Sequence, residues 1–225
     1  MKKAHFVRQG LKPLLLSASL LTSASAFAIT YGGVDFPGGA ISFADAVVSY
    51  DPALGGGAVP TAPYQDATQA LGTPNFTSVG AISYVSLGAG GQLVLRFTNN
   101  SLTGSGSSAL DLWIFEIGPD VEDTTVDISK DGSTWFSVGA VGGSTSGIDI
   151  DAYGFGTSDF FSFVRLTDVK GEGATSGTTV GADIDAVGAI SSAPPVVIDV
   201  PEPGMLALLG IGLAGVGLGR RRRAS

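Results

Sequence analysis

The stretch Val126-Asp127-Ile128-Ser129-Lys130-Asp131-Gly132-Ser133-Thr134-Trp135 decides the fold class. Two alternating runs, at 125–129 and 134–138, flank Lys130-Asp131-Gly132-Ser133. Alternation sends successive side chains to opposite faces, as a half-buried strand requires. Asp-Gly between two such runs is the strongest short-range hairpin signal, because the turn needs residues that tolerate positive φ.

Outward from this hairpin the pattern continues as short strands. Positions 92–98 alternate, with Leu93, Leu95 and Phe97 on one face and Arg96 on the other. Positions 110–117 are nearly all apolar, as a central strand covered on both faces would be. Positions 160–166 read as a strand with Phe161, Phe163 and Arg165 opposite Phe160, Val164 and Leu166. Further strands are expected at 41–50, 84–87 and 182–190, and one short helical turn at 65–71. Trp113 and Trp135 fall within strand-like segments and are expected in the core. Loops are expected at 51–63, 99–108, 139–147 and 171–181. Many short strands without helical periodicity predict an all-β protein, a jelly-roll β-sandwich.

The two ends do not belong to that domain. Lys2, Lys3, Arg8 and Lys12 precede a short apolar core, and Ala26-Phe27-Ala28 fits the small-residue cleavage rule of a signal peptide. At the other end Pro201-Glu202-Pro203 leads into an uncharged apolar run at 204–219 and then Arg220, Arg221, Arg222 and Arg223. As a helix that run spans roughly 24 Å, marginal for a bilayer core of about 30 Å, as suits transient insertion. The arginines belong on the cytoplasmic side. The expected organisation is a signal peptide at 1–28, a β-sandwich at 29–190, a linker at 191–200 and a C-terminal sorting segment at 201–225.

Composition then narrows the chemistry. Residues 29–200 hold four basic and 19 acidic side chains, a formal charge of −15 against −8 for the full chain. Such a surface excludes nucleic acid and suits divalent cations. The chain has no cysteine, and its single histidine, His5, lies in the leader. The domain therefore lacks Ser-His-Asp and Cys-His catalysis, thiolate or imidazole zinc sites, and haem or iron–sulfur ligation. Carboxylate-only glycoside hydrolysis survives this exclusion. Gly104-Ser105-Gly106 has no following helix and no nearby lysine, so it is not read as a phosphate cradle.

The tail resembles the PEP-CTERM sorting signal of Gram-negative, exopolysaccharide-making bacteria. That resemblance implies use of the export machinery and recognition by an exosortase-type processing enzyme. It also implies a destination on the outer surface or in the extracellular matrix. A second resemblance lies in the domain. The hairpin looks like the V-x-x-S-x-D-G-x-x-W motif of discoidin-like domains, followed by Phe163-Val164-Arg165-Leu166 and the closing acidic strand Ala182-Asp183-Ile184-Asp185-Ala186-Val187. With Asp111-Leu112-Trp113-Ile114-Phe115-Glu116, this looks like galactose-binding-like sandwiches of bacterial surface proteins. The implied function is non-catalytic glycan binding or adhesion. The alternatives are a purely structural matrix component and, behind it, a carboxylate-based glycosidase.

The resemblance also implies a structural calcium, held between an early loop and the last strand. It nominates Asp45 or Asp51 with Asp183 or Asp185, and Glu116 for metal or ligand contact. Two apart, Asp183 and Asp185 are expected on one strand face. Asp149 and Asp151 are likewise expected on one face beside Tyr153, where the ring could stack on a sugar and the acids accept its hydroxyls.

Overall fold

The computed structural model describes residues 28–78, 82–118, 122–142, 144–173 and 175–196. The expectations for Ala26 and for the tail, from Pro201, Glu202 and Pro203 to the four arginines, lie outside the described residues; Ala28 is exposed just ahead of the first strand.

Thirteen strands follow one another among the described residues. They are β1 (Ile29–Tyr31), β2 (Val34–Phe36), β3 (Ala46–Asp51), β4 (Val85–Ser86), β5 (Gln92–Arg96), β6 (Ser101–Leu102) and β7 (Leu112–Glu116). Then come β8 (Thr124–Ser129), β9 (Phe136–Val141), β10 (Thr145–Ile148), β11 (Phe163–Asp168), β12 (Asp183–Ala189) and β13 (Ser192–Ala193). One sheet runs β10-β7-β12-β4 and the other β3-β5-β11-β8-β9, with antiparallel pairing throughout. A single apolar cluster draws Leu112, Ile114, Ile184 and Val187 from the first sheet. It draws Leu93, Leu95, Val126, Ile128, Val164 and Leu166 from the second. Two sheets sharing one core are a β-sandwich, as the alternation predicts.

The central strand β7 is covered on both sides, as its apolar run requires. Leu112 and Ile114 face the main core, while Phe115 turns the other way onto Phe36 and Phe43. Phe36 arrives on the β1–β2 hairpin, which the sequence reading did not anticipate. Gly188 of β12 leaves room for these rings: a Cβ there would lie 2.7 Å from Phe36 and 2.9 Å from Phe43.

Several expectations change. The first strand begins at Ala46 rather than 41, because Gly39–Ser42 forms a 3-10 turn. The helical turn at 65–71 is a 3-10 helix, Ala67–Ala70, capped by Asp66 accepting from Thr68 N. The segments expected as loops at 99–108 and linker at 191–200 contain β6 and β13, which pair with each other. The expected loop at 139–147 is mostly strand, since β9 reaches Val141 and β10 starts at Thr145. Phe161 does not share a face with Phe163. It bridges to Leu102 before β11 begins and is fully buried in the core, while Phe163 lies on the outer face under Arg96. Trp135 is not core either: it lies half-buried with the Arg165 guanidinium 4.4 Å from its ring.

Gly88 marks a point where only glycine fits. Its φ is +84°, and an added Cβ would stand 2.2 Å from the Pro52 carbonyl oxygen. Gly88→Ala combines backbone strain with a backbone clash, and we expect a loss of at least about 2–3 kcal/mol by chemical unfolding. Gly33, with φ +82° and nothing within 4 Å, supplies the control. Its alanine variant should lose no more than about 1–2 kcal/mol. Equal losses at the two positions would show that the Pro52 contact does not matter.

Candidate functional site

The hairpin that defines the fold also anchors a loop. Asp131 Oδ1 accepts from Ser133 N at 2.8 Å and Thr134 N at 2.7 Å, which shapes the turn and holds its carboxyl down at about 2. Lys130 Nζ pairs with Asp159 Oδ1 at 2.7 Å, tying the turn to residues 149–160. Beneath that tie, Phe155 packs edge-on against Phe136 and Phe161 at centroid distances of 5.2 and 5.0 Å.

The anchored loop brings three acids together. Asp111, Asp149 and Asp151 each present a carboxylate oxygen, and these lie within 4.8 Å of one another. Asp111 is fully buried; its Oδ2 accepts from Ile150 N at 3.0 Å and its Oδ1 from Ser191 Oγ at 2.7 Å. Burial pushes its carboxyl above the usual range, with the Asp151 charge adding to the effect. Asp149 Oδ1 accepts from Asp151 N at 2.9 Å. Asp151 accepts from Gly106 N at 3.1 Å, and Ser105 Oγ donates to it at 3.4 Å. Three convergent carboxylates make an all-oxygen donor set that a metal ion could bridge, of the kind hard divalent cations take. Tyr153 stands beside them, half exposed, with its hydroxyl against Gly139.

Sequence reasoning found two of these acids and the tyrosine. It placed them on a strand, whereas Asp151–Tyr153 is a 3-10 turn. It missed Asp111 as a partner, and it set aside Gly104-Ser105-Gly106, which supplies donors to Asp151. The extra signal available was Asp111 opening an apolar strand, a costly place for an uncompensated carboxylate.

The calcium nominees are dispersed. Asp45 accepts from Thr98 N and Oγ1 at 3.0 and 2.9 Å, and Asp51 accepts from Ala53 N at 3.0 Å. Both close local turns. Asp183 accepts from Ser86 Oγ, and Asp185 accepts from Asn75 N and Phe76 N at 3.1 and 3.2 Å. A bulge between Ile184 and Ala186 breaks their expected alternation, which is why their donors differ. Burial raises both carboxyls, Asp183 to about 7. Asp185 also lines a cavity of about 200 Å³ with Pro74, Phe76, Phe115, Glu116 and Thr145. Glu116 is buried at the end of β7 near Glu122, and desolvation, then the Glu122 charge, pushes its carboxyl up to about 9. Among the described residues, these five nominees do not form a three-acid group of the kind Asp111, Asp149 and Asp151 make.

Comparison with known proteins decides the address. Residues 199–223 match the PEP-CTERM protein-sorting motif. The PEP-CTERM motif marks an exported protein sorted to the cell surface and implies processing by an exosortase. No curated protein matches the chain. Two solved structures are similar to it at 11% identity. One is CpGH89CBM32-6 produced by Clostridium perfringens, with a TM-score of 0.30 over 47% of this chain and 72% of that one. The other is the C-terminal domain of a chitobiase from Bacteroides fragilis, with a TM-score of 0.33 over 64% of this chain and 93% of that one. Likeness at this distance carries no argument about what the PEP-CTERM chain binds.

Proposed function

We propose that this chain is a non-catalytic surface or matrix protein whose sandwich binds glycan at the loop end carrying Asp111, Asp149, Asp151 and Tyr153. In this reading a calcium ion lies among the three carboxylates, a sugar ring stacks on Tyr153, and sugar hydroxyls reach the ion or the acids. The observation that carries it is the convergence of three acids beside a half-exposed aromatic ring. The export address supports it, since exopolysaccharide and calcium are both met outside the cell. The domain arrangement follows: residues 1–28 are removed on export, 29–190 bind, and 201–225 hold the chain in the membrane until an exosortase-type enzyme acts.

The mature protein should be retained by matrix polysaccharide in calcium and released by EGTA. Asp149→Asn and Tyr153→Ala should each weaken retention by roughly tenfold, equivalent to about 1.4 kcal/mol. Indifference to every polysaccharide offered, with or without calcium, would remove the glycan reading. The structural-component reading would then stand, supported by the −15 charge of residues 29–200, which lets cations bridge neighbouring molecules. Glycoside hydrolysis lacks comparable support: the Glu116 carboxylate, the acid whose proton is held best, is sealed from any substrate.

A further inference from the structure

A second group of acids is sealed where β7 ends. Glu116 is 2% exposed, Glu122 4% and Asp168 5%. Glu116 lies opposite Ile184 in the ladder, and Ile184 faces the core, so Glu116 enters the space between the sheets. Glu122 stands within hydrogen-bond reach of it, and the charges of Asp183 and Asp168 both act on it. Asp168 is satisfied by Gly90 N at 2.8 Å and Ala182 N at 2.9 Å. Glu116 is not: neither Oε receives an N–H or O–H among the described residues, apart from the neighbouring Glu122 carboxyl. The loop ending at Gly173 closes over Glu122 so tightly that a Cβ there would lie 2.0 Å from Glu122 Cγ.

The protein supplies no counter-charge to this pocket of acids. The basic side chains of the described residues are Arg96, Lys130, Arg165 and Lys170. Arg165 pairs with Asp127, Lys130 with Asp159, Lys170 with the Gly55 carbonyl oxygen, and Arg96 stacks on Phe163. Buried carboxylates without a partner are strongly unfavourable, so positive charge must come from outside the chain. A proton shared between Glu116 and Glu122 would neutralise one charge and leave Asp183 beside them uncompensated. A divalent ion neutralises the group, and the donors are all oxygen.

We propose that Glu116, Glu122 and Asp183 bind a divalent cation of the calcium class, a site separate from the Asp111–Asp149–Asp151 group. The ion ties the end of β7 to β12 and to the segment that enters β8. It is structural and does not depend on the glycan reading.

The test is thermal unfolding of the mature chain, stripped with chelator and then given calcium. At saturating calcium the wild type should rise by roughly 5–10 °C. Asp149→Asn should keep most of this rise, while Glu116→Gln and Glu122→Gln should each lose it. Circular dichroism in chelator verifies that the glutamine variants fold; should one fail, calorimetric stoichiometry on the wild type and Asp149→Asn replaces it. Calcium still bound by Asp149→Asn supports the second site, and none bound overturns it. A rise that Asp149→Asn abolishes and the glutamine variants keep would assign all calcium to the loop site and overturn the proposal. So would the absence of any rise, which would leave Glu116 and Glu122 sharing a proton alone.

Discussion

Glu116→Gln is expected to stabilise the calcium-free protein at neutral pH and to flatten its dependence on pH. Desolvation, then the charges of Glu122, Asp183 and Asp168, lifts the Glu116 carboxyl from 4.5 to about 9 in the folded chain. The sign follows from proton counts. Below the unfolded value both states hold the proton and the group is neutral in its effect. As pH rises from about 4.5 toward 9, the unfolded chain releases the proton while the folded chain keeps it, so stability falls. One group falling this way costs about 1.4 kcal/mol per pH unit, or about 3 kcal/mol between about pH 5 and 7. Asp183, lifted to about 7, adds loss over the lower part of the same window. Domains of this kind hold only about 5–15 kcal/mol in total, so the effect should dominate the pH profile. Glutamine keeps the shape, carries no charge and can donate to Glu122. Urea unfolding in EDTA at a series of pH values measures this. A wild type with a flat profile, or a variant as steep as the wild type, would contradict the burial argument.

Phe161→Ala is expected to be the most damaging single truncation near the candidate site. Phe161 is fully buried, pairs through its backbone with Leu102, and touches Phe136 and Phe155 edge-on. The Lys130 ammonium lies 5.3 Å from its ring. Removing the ring leaves a cavity and should cost about 3–5 kcal/mol, with the lost aromatic contacts included in that range. Function should fall with stability, because Phe155 anchors the loop that carries Asp149, Asp151 and Tyr153. Phe160→Ala, one residue away and 40% exposed, should change stability by no more than about 0.5 kcal/mol. Denaturant midpoints of the two variants, read beside calcium-dependent glycan retention, separate these outcomes. Comparable losses would mean that Phe161 does not hold the loop.

The contrast between these neighbours illustrates what local pattern can and cannot tell. Alternation alone put Phe161 with Phe163, since a strand repeats every two residues. The chain instead enters β11 only at Phe163, after a bridge from Phe161 to Leu102 that no local signal announces. Asp149 and Asp151 were legible as a pair because they are close in sequence; their partner Asp111 was not, because β10 reaches it by pairing with β7. Glu116 was singled out as a charge closing an apolar strand, yet its companion Glu122 read as solvated turn charge, although it is 4% exposed.

By itself the sequence determined the all-β class, the defining hairpin, most of the strands and the export address. It also settled the absence of cysteine and histidine from the domain. Each of these is a property of composition or of near neighbours, where backbone geometry and polarity act directly. The tertiary structure alone decided which carboxylates meet. The order β10-β7-β12-β4 joins Asp111 to the 149–151 turn and brings Asp183 toward Glu116, while the bulge in β12 sends Asp185 to different donors. Convergence of charge is a long-range outcome of strand order and register, paid for by the burial of the apolar core, and no run of adjacent residues encodes it.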